Sequence, residues 1–247
     1  MTLKGKNIVI TGCLKGIGRA TLETFAKNHA NIWACCQKED QEFLDSIQKL
    51  SEQYDVKIFP LYFDLNNYDQ IKQAFKQITD SKQNIDGLVN IAGVTYNALF
   101  HMTSIEKTRE IFELDFHSQL YLTQLISKLM MRKKSGSVVF ISSVTALDGN
   151  PGQIAYSSAK ASFIGATKTL ASELGNYNIR VNSIAPGVIL TDMTKDLPKD
   201  KMDALLSKSK IKRLGTPEEV ANVILFLISD LSAYISGQII RVDGGIG

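Results

Sequence analysis

Seven short runs of β-branched and other apolar residues, Asn7–Thr11, Asn31–Cys36, Lys57–Phe63, Gly87–Ile91, Ser137–Ser142, Arg180–Ile184 and Gln238–Val242, alternate with longer segments of helical period. That alternation is the pattern of β–α–β units, in which crossover helices join parallel strands. The runs are apolar almost without a break, as in Val138-Val139-Phe140-Ile141, so each strand is expected to be buried on both faces with helices above and below. The prediction is an α/β fold with a doubly wound, seven-stranded parallel sheet. A chain of 247 residues, 44% apolar, can bury one such core. No linker, repeat or low-complexity stretch divides it, and a single domain over 1–247 is expected.

Between the strands, Leu22, Phe25 and Ala26 recur at helical spacing, and Ile105–Met131 and Gln153–Leu174 are the two longest helical segments. Thr216-Pro217-Glu218-Glu219 gives the clearest helix start: a capping hydroxyl, proline at the first helical position and a carboxylate three residues after the cap. That helix is expected to run to about Ser229. The stretch 187–215 is rich in Lys and Asp and lacks a regular period; a long irregular segment in a compact domain is often a lid, and a substrate lid is expected there.

The formal net charge is only +3, which argues against nucleic acid or a membrane surface as the partner. The N-terminus shows no signal-peptide pattern and no apolar run approaches membrane-spanning length, so a cytoplasmic protein is expected. Cys13, Cys35 and Cys36 form neither a disulfide framework nor a ligand set and are expected as reduced, mostly buried thiols. His29, His101 and His117 are scattered without ligand spacing, and no metal site is expected.

Thr11-Gly12-Cys13-Leu14-Lys15-Gly16-Ile17-Gly18 leaves the first strand and opens a helix. Glycines there let the backbone turn sharply and approach a pyrophosphate, while the helix N-terminus offers free N–H groups and partial positive charge. This makes the sheet Rossmann-like, although the spacing differs from the GxGxxG fingerprint. An enzyme preferring NAD usually places an acid at the end of the second strand to bind the ribose 2′-hydroxyl. Here that strand ends Cys35-Cys36-Gln37-Lys38, and Lys15 and Lys38 are both candidates to meet the 2′-phosphate of NADP. NADP is favoured; Glu39 and Asp40, close behind, keep NAD open.

Tyr156 and Lys160 lie four residues apart on one predicted helical face. A neighbouring ammonium stabilises a phenolate, which brings proton exchange with a carbonyl oxygen within reach near neutral pH. Ser143 ends the preceding strand, where ligands bind in doubly wound sheets, and its hydroxyl is suited to hold the same oxygen.

Taken together, Thr11–Gly18, Asn90-Ile91-Ala92-Gly93, Ser143, Tyr156 with Lys160, and Pro186-Gly187 resemble the short-chain dehydrogenases/reductases over nearly the whole chain. Ala155–Lys160, Val181–Gly187 and Val242–Gly245 are most similar to the bacterial 3-oxoacyl-acyl-carrier-protein reductases. The resemblance implies that Tyr156 donates a proton, Ser143 orients the carbonyl, and Lys160 supports the tyrosine and binds the nicotinamide ribose. It implies further cofactor contacts from Gly12, Leu14, Lys15, Gly16, Ile17 and Gly18, from Gln37 and Lys38, and from Asp64 and Leu65 at the adenine. Asn90, Ala92 and Gly93 would pack along the cofactor, and Pro186, Gly187, Ile189 and Thr191 would grip the carboxamide. Two positions depart from the pattern. Ile91 replaces a second asparagine and reads as packing. Asp115, in Glu113-Leu114-Asp115-Phe116, replaces the asparagine that supports a water relay to the lysine, so the relay is expected to be retuned.

Lys195, Lys199, Lys201, Lys208, Lys210, Lys212 and Arg213 outweigh Asp192, Asp196, Asp200 and Asp203 near the substrate end, and Arg132-Lys133-Lys134 forms a second basic cluster. Either suits an acidic carrier protein or simply a solvated surface. Tyr177 falls where acyl-carrier reductases often carry a basic residue, which weakens the carrier reading and leaves sugar, steroid-like and small ketones open. Leu120, Leu125, Ile126 and Leu129, with Phe163, Ala166 and Leu170, give the two long helices apolar faces. By resemblance those faces build a homotetramer; within one chain they serve equally as core. The rival readings are an NAD-dependent alcohol or sugar dehydrogenase and a cofactor-binding regulator with weak turnover.

Overall fold

Strands β1 (Asn7–Thr11), β2 (Asn31–Cys36), β3 (Ile58–Tyr62), β4 (Gly87–Asn90), β5 (Gly136–Ile141), β6 (Ile179–Pro186) and β7 (Ile239–Val242) form one parallel sheet in the order β3-β2-β1-β4-β5-β6-β7. The computed structural model describes residues 2–195 and 209–246. Strand order reverses between β1 and β4, and the crevice outside their carboxyl ends is where such sheets take ligands.

Alternate side chains of each strand feed opposite cores, which is why the runs read as continuously apolar. Ile8, Ile10, Ile32, Ala34, Val139 and Ile141 join one core with Leu22, Phe25, Ile224 and Leu227. Val9, Trp33, Val138 and Phe140 join the other with Ile126, Met130 and Phe163. Helices α1 (Gly16–Lys27), α2 (Gln41–Tyr54) and α9 (Pro217–Ile228) supply the first core; α3 (Tyr68–Asp80), α5 (Ser118–Lys133) and α7 (Ile154–Leu174) supply the second. Phe140 stacks on Phe163 with centroids 4.7 Å apart, fixing α7 to β5. The three cysteines are free and buried.

The expected helix Ile105–Met131 is not uniform. It divides into α4 (Ile105–Phe112), a π-helical turn Glu113–His117, and α5. The wide turn exposes Leu114 O, which accepts from Ser118 Oγ and Gln119 Nε2, both at 3.1 Å. No proline or glycine marks the break, and such bulges gather at functional sites. Strand ends also shift: Lys57, Phe63, Ile91, Ser142 and Gln238 fall outside their strands, while β6 continues to Pro186, in register with Val242.

At α9 the expected capping box forms. Thr216 Oγ1 accepts from Glu219 N at 3.3 Å and Glu219 Oε2 accepts from Thr216 N at 2.8 Å. Arg213 grips the same carboxylate, and with the Thr216 amide holds the Glu219 carboxyl down at about 2. In the expected lid, Ile189 bridges to Gly215 and Asp192–Lys195 forms a short helix, α8. Lys199, Lys201, Lys208, Asp196, Asp200 and Asp203 lie outside the described residues. Among the described residues, no helix is long and apolar enough to cross a membrane and no cluster of three or more His, Cys, Asp or Glu side chains could hold a metal.

Candidate functional site

The turn from β1 into α1 is shaped by close approach. A Cβ on Gly18 would lie 2.0 Å from Gly12 O, and one on Gly12, at φ +75°, would lie 3.0 Å from the backbone of Ala92. Only glycine permits both, and α1 begins with no side chain capping its first amides. Those amides are free to meet an anion. Thr11 Oγ1 accepts from Ile91 N at 2.9 Å and Ala92 N at 3.1 Å, tying the ends of β1 and β4 together. The backbone of Ile91 does this work while its side chain packs on the core, so isoleucine is tolerated there. Asn90 is fully buried; Nδ2 donates to Thr123 Oγ1 at 3.0 Å and Oδ1 has no partner.

Beside the glycine turn, Gln37, Lys38 and Glu39 are exposed just after β2. Asp40 is withdrawn: its Oδ1 accepts from Phe43 N at 2.8 Å as the cap of α2. Lys15 is exposed, with Nζ 4.0 Å from Asp192 Oδ2. Asp64 Oδ1 accepts from Asn66 N at 2.9 Å. Leu65 turns its side chain into the core, as does Ile189, which leaves only their backbones to face a ligand. Leu14 and Ile17 are half-buried against the same core as β1. Thr191 passes beside the glycine turn, its Cγ2 3.5 Å from where Gly16 would carry a Cβ. Gly187 is equally constrained, because a Cβ there would lie 2.7 Å from Asp243 Cα; Pro186 before it is buried. Arg19, in the first turn of α1, lies with its guanidinium over Phe43, 5.4 Å from the ring centroid, and pairs with Glu23 at 2.5 Å.

The catalytic candidates converge one strand away. Ser143 follows β5 and its Oγ accepts from Thr145 N at 3.2 Å and Thr145 Oγ1 at 3.0 Å. With both acceptor sites used, its proton is left to donate. Tyr156 is half-buried in the first turn of α7. Lys160 is buried, with Nζ 5.9 Å from the Tyr156 ring centroid and 5.6 Å from that of Phe163. Ser142, unremarked in the sequence, fixes this helix by donating to Lys160 O at 2.9 Å.

The π turn delivers Asp115 to the same place. Its side chain is fully buried; Oδ1 accepts from Val94 N at 2.9 Å and Oδ2 lies 3.5 Å from Lys160 Nζ, an ion pair too long for a tight hydrogen bond. Burial pushes the Asp115 carboxyl up, outweighing the Lys160 ammonium and the Val94 N–H, which pull it down. Gly93 makes room: a Cβ there would lie 3.0 Å from Lys160 Nζ and 3.2 Å from Asp115 Oδ1.

Apolar side chains ring this end of the sheet, with Val94, Leu99, Leu147, Ile154 and Leu190 all exposed. At the opposite end, Lys128, Met131, Arg132 and Tyr177 line a shallow depression, and Lys133 pairs with Asp86. His101 and Met102 sit exposed on a short helical turn, Phe100–Met102.

The residues present fit a dinucleotide: glycines whose Cβ positions are closed, uncapped amides at α1, and an unpartnered buried oxygen on Asn90. The family model described as enoyl-(acyl carrier protein) reductase matches residues 12–247. The 3-oxoacyl-[acyl-carrier-protein] reductase FabG of Thermotoga maritima is 42% identical over 246 residues, spanning 100% of this chain and 99% of its own. A crystal structure of the 3-oxoacyl-[acyl-carrier protein] reductase from Brucella melitensis superposes with a TM-score of 0.88 at 29% identity, covering 98% of this chain and 91% of that one. A protein assigned as an NAD(P)-dependent gluconate 5-dehydrogenase from Beutenbergia cavernae, solved with NADP bound at low occupancy, superposes at 0.90 with 26% identity, covering 99% and 97%.

Proposed function

The chain belongs to the short-chain dehydrogenase/reductase family of NAD(P)-dependent oxidoreductases, and on that premise we propose that it reduces the 3-oxo group of an acyl thioester to a secondary alcohol with NADPH. The observation that carries this reading is the convergence of Ser143, Tyr156, Lys160 and Asp115 beside the glycine turn, under an apolar rim.

Bound NADPH supplies the hydride. The chain's own residues manage the oxygen. Ser143 donates its free proton to the carbonyl as a hydrogen bond, and Tyr156 transfers its phenolic proton to the same oxygen as charge develops there. Lys160 stabilises the resulting phenolate, and Asp115, as the fourth member of the relay, holds the ammonium in place. Gly12, Gly16 and Gly18 admit the pyrophosphate, Asn90, Ala92 and Gly93 line its path, and Pro186, Gly187, Ile189 and Thr191 hold the carboxamide, Ile189 through its backbone. Asp64 and Leu65 border the adenine.

NADP is supported over NAD because Gln37 and Lys38, not a carboxylate, end β2, because Asp40 is occupied in capping α2, and because Lys15 is exposed beside the turn. The apolar rim supports an acyl chain over a polyol, which would leave hydroxyls without partners there. The carrier-protein reading rests on Lys128 and Arg132, with Lys134 next along the chain. The depression those two line lies at the strand-start end, away from Ser143, so a carrier docked there would serve the site of a neighbouring copy. A cytoplasmic homotetramer built through α5 and α7 supplies such a neighbour, and Leu120, Leu129, Ala166 and Leu170 are only half-buried on those helices.

The test is NADPH and NADH oxidation with a panel of 3-oxoacyl thioesters, sugar ketones and steroid ketones. The expected result is turnover of the thioesters with NADPH, lost by a factor of about 100 or more in Tyr156→Phe. Preference for a sugar ketone with NADH would select the dehydrogenase reading, and cofactor binding without turnover the regulator.

A further inference from the structure

Arg241, in β7, engages four of the five N–H donors of its guanidinium. Nε donates to Asp243 Oδ2 at 2.7 Å, Nη1 and Nη2 donate to the two oxygens of Asp148 at 2.9 and 2.6 Å, and Nη2 also donates to Ile246 O. Arg241 is in register with Ala185 of β6, so reaching Asp148 takes its side chain across the end of β6 to the helical turn α6 (Thr145–Asp148) that follows β5. The planar fork matches both carboxylate oxygens at once, a geometry lysine lacks.

Each arm ends on a part of the proposed active site. Through Asp148 the arm holds α6, whose first residue, Thr145, donates both its N–H and its hydroxyl to Ser143 Oγ. Through Asp243 the other arm holds the C-terminal turn. Gly187 packs against Asp243 and donates its N–H to Val242 O at 2.9 Å. Next along the turn, Gly244 O accepts from Lys210 N at 3.0 Å, Ile211 N at 2.9 Å and Ser209 Oγ at 3.0 Å. One side chain therefore joins the turn of Ser143 both to Gly187, just after β6, and to Ser209–Ile211.

We propose that Arg241 and Asp148 are positioning residues for the reduction, holding the Ser143 turn in fixed relation to Gly187 and to Ser209–Ile211. The inference rests on Ser143 being the group that meets the carbonyl. The pair favours its own charged state: Asp148 raises the arginine further above its ordinary range, and Arg241 draws the Asp148 carboxyl down. At 32% and 41% side-chain exposure the pair remains open to salt, which gives it a signature that simple packing lacks.

The experiment compares the parent with Arg241→Gln, Arg241→Lys, Asp148→Asn and Asp148→Glu, each full-length and saturated with NADPH. Arg241→Gln should accelerate amide exchange together at Ala146–Gly149 and at Lys210–Ile211, by about tenfold or more. In Arg241→Gln and Asp148→Asn, kcat should fall roughly three- to tenfold while the NADPH dissociation constant stays within about twofold. Arg241→Lys and Asp148→Glu should recover part of kcat, and added salt should depress kcat of the parent more than that of Asp148→Asn. Unchanged exchange at either segment overturns the inference, and so does accelerated exchange with unchanged kcat. If the parent turns over none of the ketones, the proposed substrate falls, while the exchange rates still decide whether the pair ties the two segments.

Discussion

Asp115 Oδ2 and Lys160 Nζ face each other at 3.5 Å in a space where neither side chain is more than 4% exposed. The pair is closed off by Gly93 and anchored by the Val94 N–H on the other carboxylate oxygen. An asparagine here would keep the acceptor for Val94 and remove a full negative charge from beside the ammonium. The pair lies near the proposed proton donor, with Lys160 Nζ 5.9 Å from the Tyr156 ring centroid.

In Asp115→Asn the Lys160 ammonium loses its buried counter-charge. If Asp115 belongs to the relay, kcat should fall while the NADPH dissociation constant stays within about twofold. NADPH oxidation beside a binding titration for parent and variant checks this. Unchanged kcat would show that the carboxylate serves only to hold the Val94 turn.

Stability should carry the same carboxyl's signature with a definite sign. The folded-state pKa of Asp115 is raised above its ordinary 3.8, chiefly by burial. The native state therefore holds that proton more tightly than the unfolded chain, and the contribution of Asp115 to stability declines as pH climbs from 3.8 through the folded-state value. Asp115→Asn lacks this decline. Whatever the offset from leaving Lys160 without its partner, unfolding free energy of the variant relative to the parent should increase as pH climbs above 3.8. Urea titrations at several pH values would reveal a flat difference if the carboxyl is not perturbed.

Gly93→Ala would set a methyl 3.0 Å from Lys160 Nζ and 3.2 Å from Asp115 Oδ1. The buried lysine must move, and with it the ammonium that lies 5.9 Å from the Tyr156 ring centroid. Expected is a loss in kcat of about tenfold or more with NADPH binding less affected, because a small misplacement at the reacting centre is expensive. Stopped-flow turnover beside a fluorescence titration of NADPH separates the two effects.

The fold was legible because a two-sided sheet leaves a plain trace: Val138, Val139, Phe140 and Ile141 are apolar in succession since each face has its own core. Lys160 and Tyr156 were legible for the same reason, as helical spacing decides which residues share a face. The π turn at Glu113–His117 was not. Its cause is tertiary: Leu114 O is satisfied by Ser118 and Gln119 side chains, and nothing in local propensity distinguishes that from an ordinary helix. Arg241 was equally silent, since its partners Asp148 and Asp243 meet only once β7 lies beside β6. Leu65 and Ile189 show the converse. Their positions follow from the motif, but the direction of each side chain is set by the core it enters.

The capping box at α9 offers a change that should spare chemistry. Thr216→Ala removes the acceptor for Glu219 N, and substitutions of this kind cost about 1 kcal/mol, or roughly 2–4 °C in Tm for a domain of this size. The Glu219 carboxylate keeps its Arg213 partner, so the loss should stay at the low end. Calorimetry beside an activity assay should find the shift with kcat unchanged.

Lys15 provides the sharpest check on cofactor choice. Its ammonium stands beside the turn, exposed, with Asp192 at 4.0 Å. An exposed pair at that distance is worth little, so it gives way to a dianionic phosphate at small cost. Lys38 stands exposed at the end of β2 and can approach the same group. Lys15→Ala should weaken NADPH by about five- to tenfold and leave NADH nearly unchanged, because only the 2′-phosphate distinguishes the two ligands. Combining it with Lys38→Ala should lower the preference further, and the effect should shrink with added salt as expected for solvent-exposed charges. Equal losses for NADPH and NADH would instead place Lys15 at the shared pyrophosphate, leaving the absence of an acid at Gln37 as the remaining basis for discrimination.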